Sequence, residues 1–198
     1  MVKETNHESL LWKRIRSGDT RAFHELYLLY ADILFSFGTI FTKDQELIKD
    51  CIHDLIFDLF RYRRNLADTD NVRNYLFKSL KRKIQTAANR KLDVVYLVKL
   101  PKDIDQETAD DEADASDEEI RDLAKITRAI KQLPERQQEI LNLRFQLDLS
   151  YSEIAQVLDI SVESARTSVY RSIKTIREQF DIRSISLFLI FRKKGILY

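Results

Sequence analysis

The sequence predicts an all-α protein made of two small helical domains that are joined by a flexible acidic linker. Only three Gly and two Pro occur in 198 residues, a composition that disfavours turn-rich β structure and favours long helices. Apolar residues recur at spacings of three and four through most of the chain. Segment 101–122 is acidic and nearly free of large apolar residues, which is typical of a disordered connection. The predicted division is 1–100, 101–122, 123–180 and a hydrophobic and basic tail, 181–198.

Charge is distributed unevenly along the chain. Residues 1–100 carry 18 Lys and Arg against 13 Asp and Glu, and residues 123–198 carry 13 against 8. Segment 101–122 carries 2 against 11, so the net charge of +1 conceals two basic modules around an acidic connection. Basic modules are the usual electrostatic footprint of nucleic-acid contact. The acidic segment is interpreted as a plain tether or as a mimic of nucleic-acid phosphate in a basic channel of a partner.

The lack of a recognisable targeting signal and the low cysteine content predict a cytoplasmic protein. The single cysteine, Cys51, excludes an internal disulfide framework and fits a reducing compartment. The first twenty residues are too polar for a signal peptide. No apolar run approaches the ~20 residues of a membrane span, so no membrane insertion is expected.

Four helices are predicted in the first hundred residues, over Ser9–Arg16, Thr20–Phe41, Gln45–Arg63 and Val72–Asn89. Asp44 is placed to cap the third helix. A polar loop, Asn65–Asn71, precedes the fourth. Residues 92–100 are short and β-branched, so they are either a strand or the tail of the fourth helix.

The third helix carries an unusual stripe on the side away from its apolar face. At 100° per residue, four residues share this stripe, which we name the acidic–aromatic stripe: Asp50, His53, Asp54 and Phe57. An exposed Phe among carboxylates indicates a partner-binding surface, although a single exposed aromatic residue is also common in proteins without one. With His7 and His24 as the only other histidines, no metal set is evident. No cofactor and no catalytic role are predicted.

The fourth helix presents basic and amide side chains on one sector: Asn74, Lys78, Lys81, Arg82, Gln85 and Asn89. With Tyr75 and Phe77 nearby, this sector fits contact with single-stranded or duplex DNA, since Lys and Arg bind phosphates and aromatic rings stack on bases. A solvated helix face is the alternative interpretation.

The second half of the chain predicts a helix-turn-helix. A helix from Glu118 through Ile130 is broken at Leu133-Pro134, and a further helix spans Glu135 to about Gln146. In the stretch Tyr151–Arg177, apolar residues follow the helical period on both sides of a short turn.

Serines and an aspartate mark the boundaries of the two helices in that stretch. Ser150 and Ser161 stand at the N-cap positions. Asp159 occupies the turn position that commonly carries Gly, and Asp tolerates the left-handed backbone better than most residues.

The exposed face of the second helix is rich in hydrogen-bond donors. Its members are Glu163, Arg166, Thr167, Tyr170, Arg171, Lys174 and Arg177. Such side chains suit base edges and phosphates when a helix enters the major groove. A helical hairpin with a merely solvated face is the alternative. The apolar part of the tail, 185–191, either docks on this domain or is buried by a partner.

These segments, in this order, resemble an extracytoplasmic-function (ECF) sigma factor of the bacterial sigma-70 family. The stretch AFHELYLLYADILFSFGTIFTKDQELIKDCIHDLIFDLFRYRRNL is similar to region 2, and NVRNYLFKSLKRKI is similar to the promoter-melting helix. The stretch LPERQQEILNLRFQLDLSYSEIAQVLDISVESARTSVYRSIKTIRE is similar to region 4. The resemblance covers roughly 22–91 and 133–180.

The resemblance implies a role for each surface. The acidic–aromatic stripe would bind the β′ clamp helices of core RNA polymerase, and region 4 would contact the β flap. The loop before the fourth helix would accept a base flipped out of the −10 element. The residues implied in −10 binding are Asp70, Asn71, Arg73, Asn74, Lys78, Lys81 and Arg82. The residues implied in reading the −35 duplex are Ser152, Arg166, Thr167, Tyr170, Arg171 and Lys174.

The predicted function is therefore promoter recognition and strand opening as a non-catalytic subunit of bacterial RNA polymerase. Its partners would be core polymerase, promoter DNA and, as is common in the family, an anti-sigma factor. The alternative is a stand-alone regulator similar to the LuxR type, which predicts duplex binding without polymerase. An enzyme such as a recombinase ranks last, because the helical N-terminal half lacks the pattern of an α/β catalytic domain.

Overall fold

A computed structural model describes residues 2–69, 71–97 and 127–180, and every regular element within those ranges is helical. This confirms the predicted all-α fold class. The α-helices are α1 Val2–Ser17, α2 Thr20–Gly38, α3 Gln45–Tyr62, α4 Val72–Leu97, α5 at 127–132, α6 Glu135–Leu141, α7 Tyr151–Leu158 and α8 Val162–Phe180. A 3₁₀ turn, Arg63–Asn65, follows α3, and a π-helical segment, Asn142–Gln146, follows α6.

Several sequence predictions fall outside the described residues. They concern the linker 101–122, the helical residues 118–126, Asp70 and the tail 181–198. The question left open at 92–100 is answered in part, because α4 continues through Leu97 and residues 92–97 are helical. The division of the chain into domains at the linker stays a prediction.

Helices α1 to α4 pack around a shared apolar core. Trp12, Leu26 and Leu80 are fully buried, and each such side chain contributes roughly 1.5–3 kcal/mol by leaving water. Phe37 and Phe77 stack with ring centroids 4.3 Å apart. Because Phe77 is buried in this pair, the prediction that it could stack on a DNA base was wrong.

Helix starts follow the predicted caps. The Asp44 carboxylate accepts a hydrogen bond from the Leu47 amide at 2.9 Å, and the Ser161 hydroxyl accepts from the Ser164 amide at 3.0 Å. At α7, Ser150 and Glu153 form a reciprocal capping box, which satisfies two orphan donors at once. Asp159 ends α7 with φ of 56°, in the left-handed region predicted for it.

Several predicted helix bounds are displaced. Helix α1 begins at Val2 rather than Ser9, and α4 continues to Leu97 rather than ending near Asn89. Helix α2 ends at Gly38 rather than Phe41, because the chain turns there and Gly38 lies directly against Ile48 of α3. The helix predicted from Glu135 to Gln146 is α-helical only to Leu141 and then widens into the π-helical segment. Such segments are rare and are often found at functional sites.

Helix α7 packs against α4, and this contact joins the two halves of the chain. The apolar residues buried in α1–α4 and those buried in α5–α8 form one hydrophobic cluster. In the second half, this cluster includes Ile140, Ile154, Val169 and Ile176. The inner faces of α7 and α8 are therefore fixed, and the opposite face of α8 is turned outward.

Candidate nucleic-acid and polymerase interfaces

The outward face of α8 carries the five predicted −35 residues of this helix, which we name the recognition face: Arg166, Thr167, Tyr170, Arg171 and Lys174. Four are exposed and Thr167 is half-buried, and Tyr170 keeps 69% of its surface accessible. Ala165 and Val169 are buried on the opposite side. The amphipathic pattern of α8 therefore leaves hydrogen-bond donors free to approach a major groove.

Neighbouring side chains hold part of this face in position. The Arg166 guanidinium lies 5.6 Å from the centre of the Tyr151 ring and 3.5 Å from a carboxylate oxygen of Glu163. Arg144 approaches the same ring at 5.2 Å, so Tyr151 lies within cation–π distance of both guanidinium groups. Arg144 was not predicted, because its position in the π-helical segment has no signal in the helical period. The remaining predicted residue, Ser152, is exposed near the start of α7.

All four members of the acidic–aromatic stripe are exposed on α3. Phe57 keeps 60% of its surface accessible. It borders an apolar groove whose lining residues are Phe23, Tyr27, His53, Ile56, Phe57 and Phe60. The Tyr27 and His53 rings stack across this groove with centroids 6.4 Å apart. An exposed apolar groove flanked by carboxylates has the character of a partner-binding surface.

Two groove residues, Tyr27 and Phe60, were not predicted to belong to a partner-binding surface. Both are partly exposed, at 37% and 42%. Helical periodicity places them on the same faces as buried neighbours, and only the packing of α2 against α3 shows that their ring edges reach the groove. Arg63 lies over the outer side of the Phe60 ring at 4.7 Å.

Some of the predicted −10 residues on α4 and at its N-terminus are exposed to solvent, and others are buried. We name the described ones the basic sector: Asn71, Arg73, Asn74, Lys78, Lys81 and Arg82. Lys78, Arg82 and Asn71 are exposed, but Asn74 and Lys81 retain only 7% and 9% of their surface. The prediction that Asn74 and Lys81 lie on an open face was therefore wrong, because α7 packs over them. Asp70 lies outside the described residues.

Hydrogen bonds connect the basic sector to α7 and to the segment before it. The Asn71 amide donates to Glu153 at 3.1 Å, and the Asn74 amide donates to Gln156. The Arg73 guanidinium donates to the Leu147 carbonyl. Asn71 also caps α4, because its side-chain oxygen accepts from the Asn74 backbone amide at 2.8 Å.

Lys81 makes the deepest of these contacts. Its ammonium group donates to the Val157 carbonyl at 3.0 Å. Burial, with the like charge of Arg136 nearby, lowers the pKa of Lys81. Arg136 itself donates to the Leu158 carbonyl at 2.8 Å. Two cations therefore satisfy carbonyl groups of the last turn of α7, where no helical partner remains.

Glu153 belongs to both the cap of α7 and the contact with α4. Burial alone would raise its pKa, but hydrogen bonds from Ser150 and Asn71 outweigh burial and hold the pKa of Glu153 below its usual value. Glu153 and Gln156 were not predicted as contact residues. Polar residues on the outer side of a short helix give no signal that another part of the chain covers them.

The described residues contain neither a metal-binding group nor a membrane-spanning helix. Within the described ranges, no group of three His, Cys, Asp or Glu residues is arranged to hold a metal ion. None of the helices described here combines the length and the apolar character that crossing a membrane requires.

Comparison with known proteins relates the chain to sigma factors. Residues 123–176 match the family model of sigma-70, region 4, which places the helix-turn-helix inside the match. The RNA polymerase sigma-H factor of Pseudomonas aeruginosa is 26% identical over 189 residues, covering 89% of this chain and 94% of that protein. Together these matches support an extracytoplasmic-function sigma factor of the sigma-70 family. The RNA polymerase sigma factor SigV of Bacillus subtilis is 23% identical over 146 residues, covering 74% of this sigma factor and 83% of that one.

Solved structures share the fold of this sigma factor. CnrH, in complex with the cytosolic domain of CnrY, superimposes with a TM-score of 0.58 at 17% identity, over 87% of this chain and 96% of CnrH. The sigma factor RpoE of Bartonella quintana, in complex with the anti-sigma factor NepR, gives 0.61 at 16% identity, over 82% and 99%. A sigma factor is a non-catalytic subunit that serves promoter recognition, and the chain is therefore not an enzyme.

Proposed function

We propose that this sigma factor directs core RNA polymerase to promoters through two DNA elements. In this proposal the recognition face of α8 reads the −35 element as duplex, and the basic sector of α4 binds the opened −10 strand. The match to sigma-70 region 4 carries the proposal, because it spans the capped helix-turn-helix whose outer face is donor-rich and open.

The chemistry of the recognition face supports its proposed role. Arg166 and Arg171 can each donate two parallel hydrogen bonds to the acceptors of guanine in the major groove. Thr167 and Tyr170 add neutral donors, and Lys174 adds a positive charge for a phosphate. Ser152, exposed at the start of α7, is proposed to contact the −35 element as well.

The charges of the basic sector support its proposed role in binding the −10 strand. Lys78 and Arg82 are exposed cations one turn apart on α4, a spacing that follows a single strand of phosphates. The loop that ends at Asp70 and Asn71 would take the flipped base, whose lost stacking costs a few kcal/mol that protein contacts must offset.

The acidic–aromatic stripe is proposed to bind the β′ clamp helices of the polymerase. An exposed aromatic side chain surrounded by carboxylates suits a helix with a cationic face, and aromatic anchors dominate interface energy. The region 4 domain would contact the β flap. The proposed setting is the cytoplasm, and the proposed additional partner is an anti-sigma factor, because CnrH and RpoE were each solved with a bound partner protein.

Reconstitution with sigma-free core RNA polymerase from a related bacterium tests the proposal. The purified complex is assayed for transcription from a genomic fragment library. A stable complex with specific start sites is the expected result, and it would also yield the promoter sequence. Specific duplex binding by the free chain, with no polymerase complex, would instead favour a stand-alone regulator of the LuxR type.

A further inference from the structure

We infer that the contact between α4 and α7 is an autoinhibitory lock, which covers the α7-facing part of the strand-binding basic sector while leaving the other two surfaces open. The inference rests on the proposed role of α4 in binding the −10 strand. It predicts a chain that can engage polymerase and duplex DNA while closed, but must separate α7 from α4 before it can hold a single strand.

The residues of the lock are the first argument. Hydrogen bonds from Asn71, Arg73, Asn74 and Lys81 all cross from α4 and its cap to the second half of the chain, over sequence separations of 74 to 82 residues. These four are also proposed strand-binding residues. A donor that is held by α7 or by the segment before it cannot at the same time bind a phosphate or a base, so each of these bonds must break before its donor can bind DNA.

The difference in exposure between the surfaces is the second argument. Asn74 and Lys81 are buried, whereas the arginines of the recognition face and Phe57 of the acidic–aromatic stripe are exposed in the same arrangement. A general collapse of the two halves would cover all three surfaces. This contact covers part of the basic sector, the surface that is needed after the DNA opens, and neither of the other two surfaces.

The composition of the contact is the third argument. Arg73 Nε, Asn74 Oδ1 and Gln146 Oε1 are buried without a hydrogen-bond partner. Arg73 and Asn74 belong to the lock, and Gln146 directly precedes Leu147, whose carbonyl Arg73 contacts. Leaving such groups unpaired is unfavourable, and they regain partners when the contact opens. The lock therefore holds the chain closed weakly enough to be released.

A reversible cross-link tests whether the chain is closed in solution. Cysteines replace Asn74 and Gln156 in a full-length Cys51→Ala background, and a two-carbon bis-methanethiosulfonate reagent joins them until dithiothreitol removes it. Lys78→Cys with Gln156→Cys is the matched control pair, because Lys78 is exposed one turn further along α4. We expect efficient intramolecular cross-linking of the first pair and little of the second.

The same cross-linked variant is then used to measure whether the closed state inhibits binding of single-stranded DNA. Binding to fluorescent dT15 and to a 30-base-pair duplex of mixed sequence is measured at low salt, before and after the cross-link is cleaved. We expect the cross-linked form to bind dT15 at least about fivefold more weakly, because the two cations of the lock, Arg73 and Lys81, are withheld from phosphates, and to bind the duplex unchanged. The duplex serves as an internal control, since the recognition face is outside the lock.

Opening the lock from the α7 side gives the complementary test. Gln156 is exposed and is not a proposed DNA contact, so Gln156→Ala removes one bond of the lock without altering the binding surfaces. We expect dT15 affinity to rise about two- to tenfold, as loss of one neutral hydrogen bond permits. Gln132→Ala, at an exposed glutamine of α5, should leave dT15 affinity unchanged.

Each other outcome overturns a defined part of the argument. Cross-linking no better than in the control pair would show that the closed state is absent in solution, which defeats the lock and leaves the proposed function intact. Equal dT15 binding before and after cleavage would defeat the inhibitory role. If the cross-link forms but neither state binds dT15, the strand-binding role of α4 fails, and the inhibitory meaning of the lock fails with it.

Discussion

The ammonium group of Lys81 donates a hydrogen bond of 3.0 Å to the carbonyl oxygen of Val157, a residue 76 positions further along the chain. This carbonyl belongs to the last turn of α7, where helical acceptors have no partner and the helix dipole favours a cation. Burial lowers the pKa of Lys81, so the charged ammonium is held at some cost. The bond therefore joins the two halves of the chain through a group that would also suit a DNA phosphate.

Replacing Lys81 by Met should loosen the contact between α4 and α7. The Val157 carbonyl would lose its partner, a penalty of about 1–3 kcal/mol for a buried acceptor. Nitroxide labels at Gln85 and Asp148, both exposed, report the separation of the two halves by electron–electron resonance in the Cys51→Ala background. We expect the distance distribution to broaden in Lys81→Met and to stay unchanged in Lys78→Met. Equal broadening in both would show that the loss of charge, rather than this bond, controls docking.

Replacing Phe57 by Ala should weaken core polymerase binding selectively. An aromatic anchor at the centre of an interface commonly contributes about 2 kcal/mol or more, and Phe57 is the exposed ring of the acidic–aromatic stripe. Surface plasmon resonance against immobilised core enzyme measures this loss, and duplex DNA affinity should be nearly intact. Leu28→Ala, at a more exposed apolar side chain on α2, is the matched control. Equal loss of polymerase and duplex binding would refute the assignment of Phe57.

Replacing Arg171 by Ala should weaken −35 binding by about 1–3 kcal/mol if its guanidinium contacts a base pair through two hydrogen bonds. The substitution should also relax sequence preference at that base pair, which competition among duplexes with single base changes would show. Arg128→Ala removes an exposed arginine from α5, outside the recognition face, and should leave the preference intact. If the sequence preference were unchanged in Arg171→Ala, Arg171 would contact at most a phosphate and no base.

The local chemistry of helix ends and faces made much of the fold predictable. Asp44, Ser150 and Ser161 cap their helices as expected, because a cap depends on residues within three positions. Asp159 adopts the left-handed backbone for the same local reason. The exposure of Phe57 also followed from helical periodicity alone.

Contacts between distant parts of the chain were not predictable in this way. Lys81 and Asn74 lie on a polar sector of α4, and periodicity assigns such a sector to solvent. Their burial depends on α7, which is more than seventy residues away and presents a helix end and a glutamine there. A backbone carbonyl as acceptor leaves no trace in a pattern of side chains. The π-helical segment that follows α6 was missed because its apolar residues still fit an α-helical period.

Glu153 should respond to acid through its contacts with the α7 cap and with α4. Hydrogen bonds hold the pKa of Glu153 below its usual value despite burial, so the stability it contributes is present above the unfolded-state pKa of about 4.3 and is lost as pH falls through the lowered folded value. In Asn71→Ala, we expect the pKa of Glu153 to rise toward its usual value, measured by carboxyl-carbon NMR titration. The lowered pKa of Asp19, which arises from its hydrogen bond to Arg14, should not move. An unchanged Glu153 pKa would exclude a contact with Asn71 in solution.

Gly38 should be intolerant of even one added methyl group. A Cβ at this position would lie 2.6 Å from Ile48 Cγ2 and 3.1 Å from Ile48 Cγ1, and Ile48 is fully buried and cannot move aside. In an unhindered helix, Gly→Ala stabilises by up to about 1 kcal/mol, but this clash should reverse the sign and destabilise by about 1–3 kcal/mol. Urea unfolding measures the change, and a double-mutant cycle locates its cause. In an Ile48→Ala background the clashing atoms are gone, so Gly38→Ala should become neutral or stabilising. A stabilising effect with Ile48 still present would mean that α2 and α3 do not approach each other this closely.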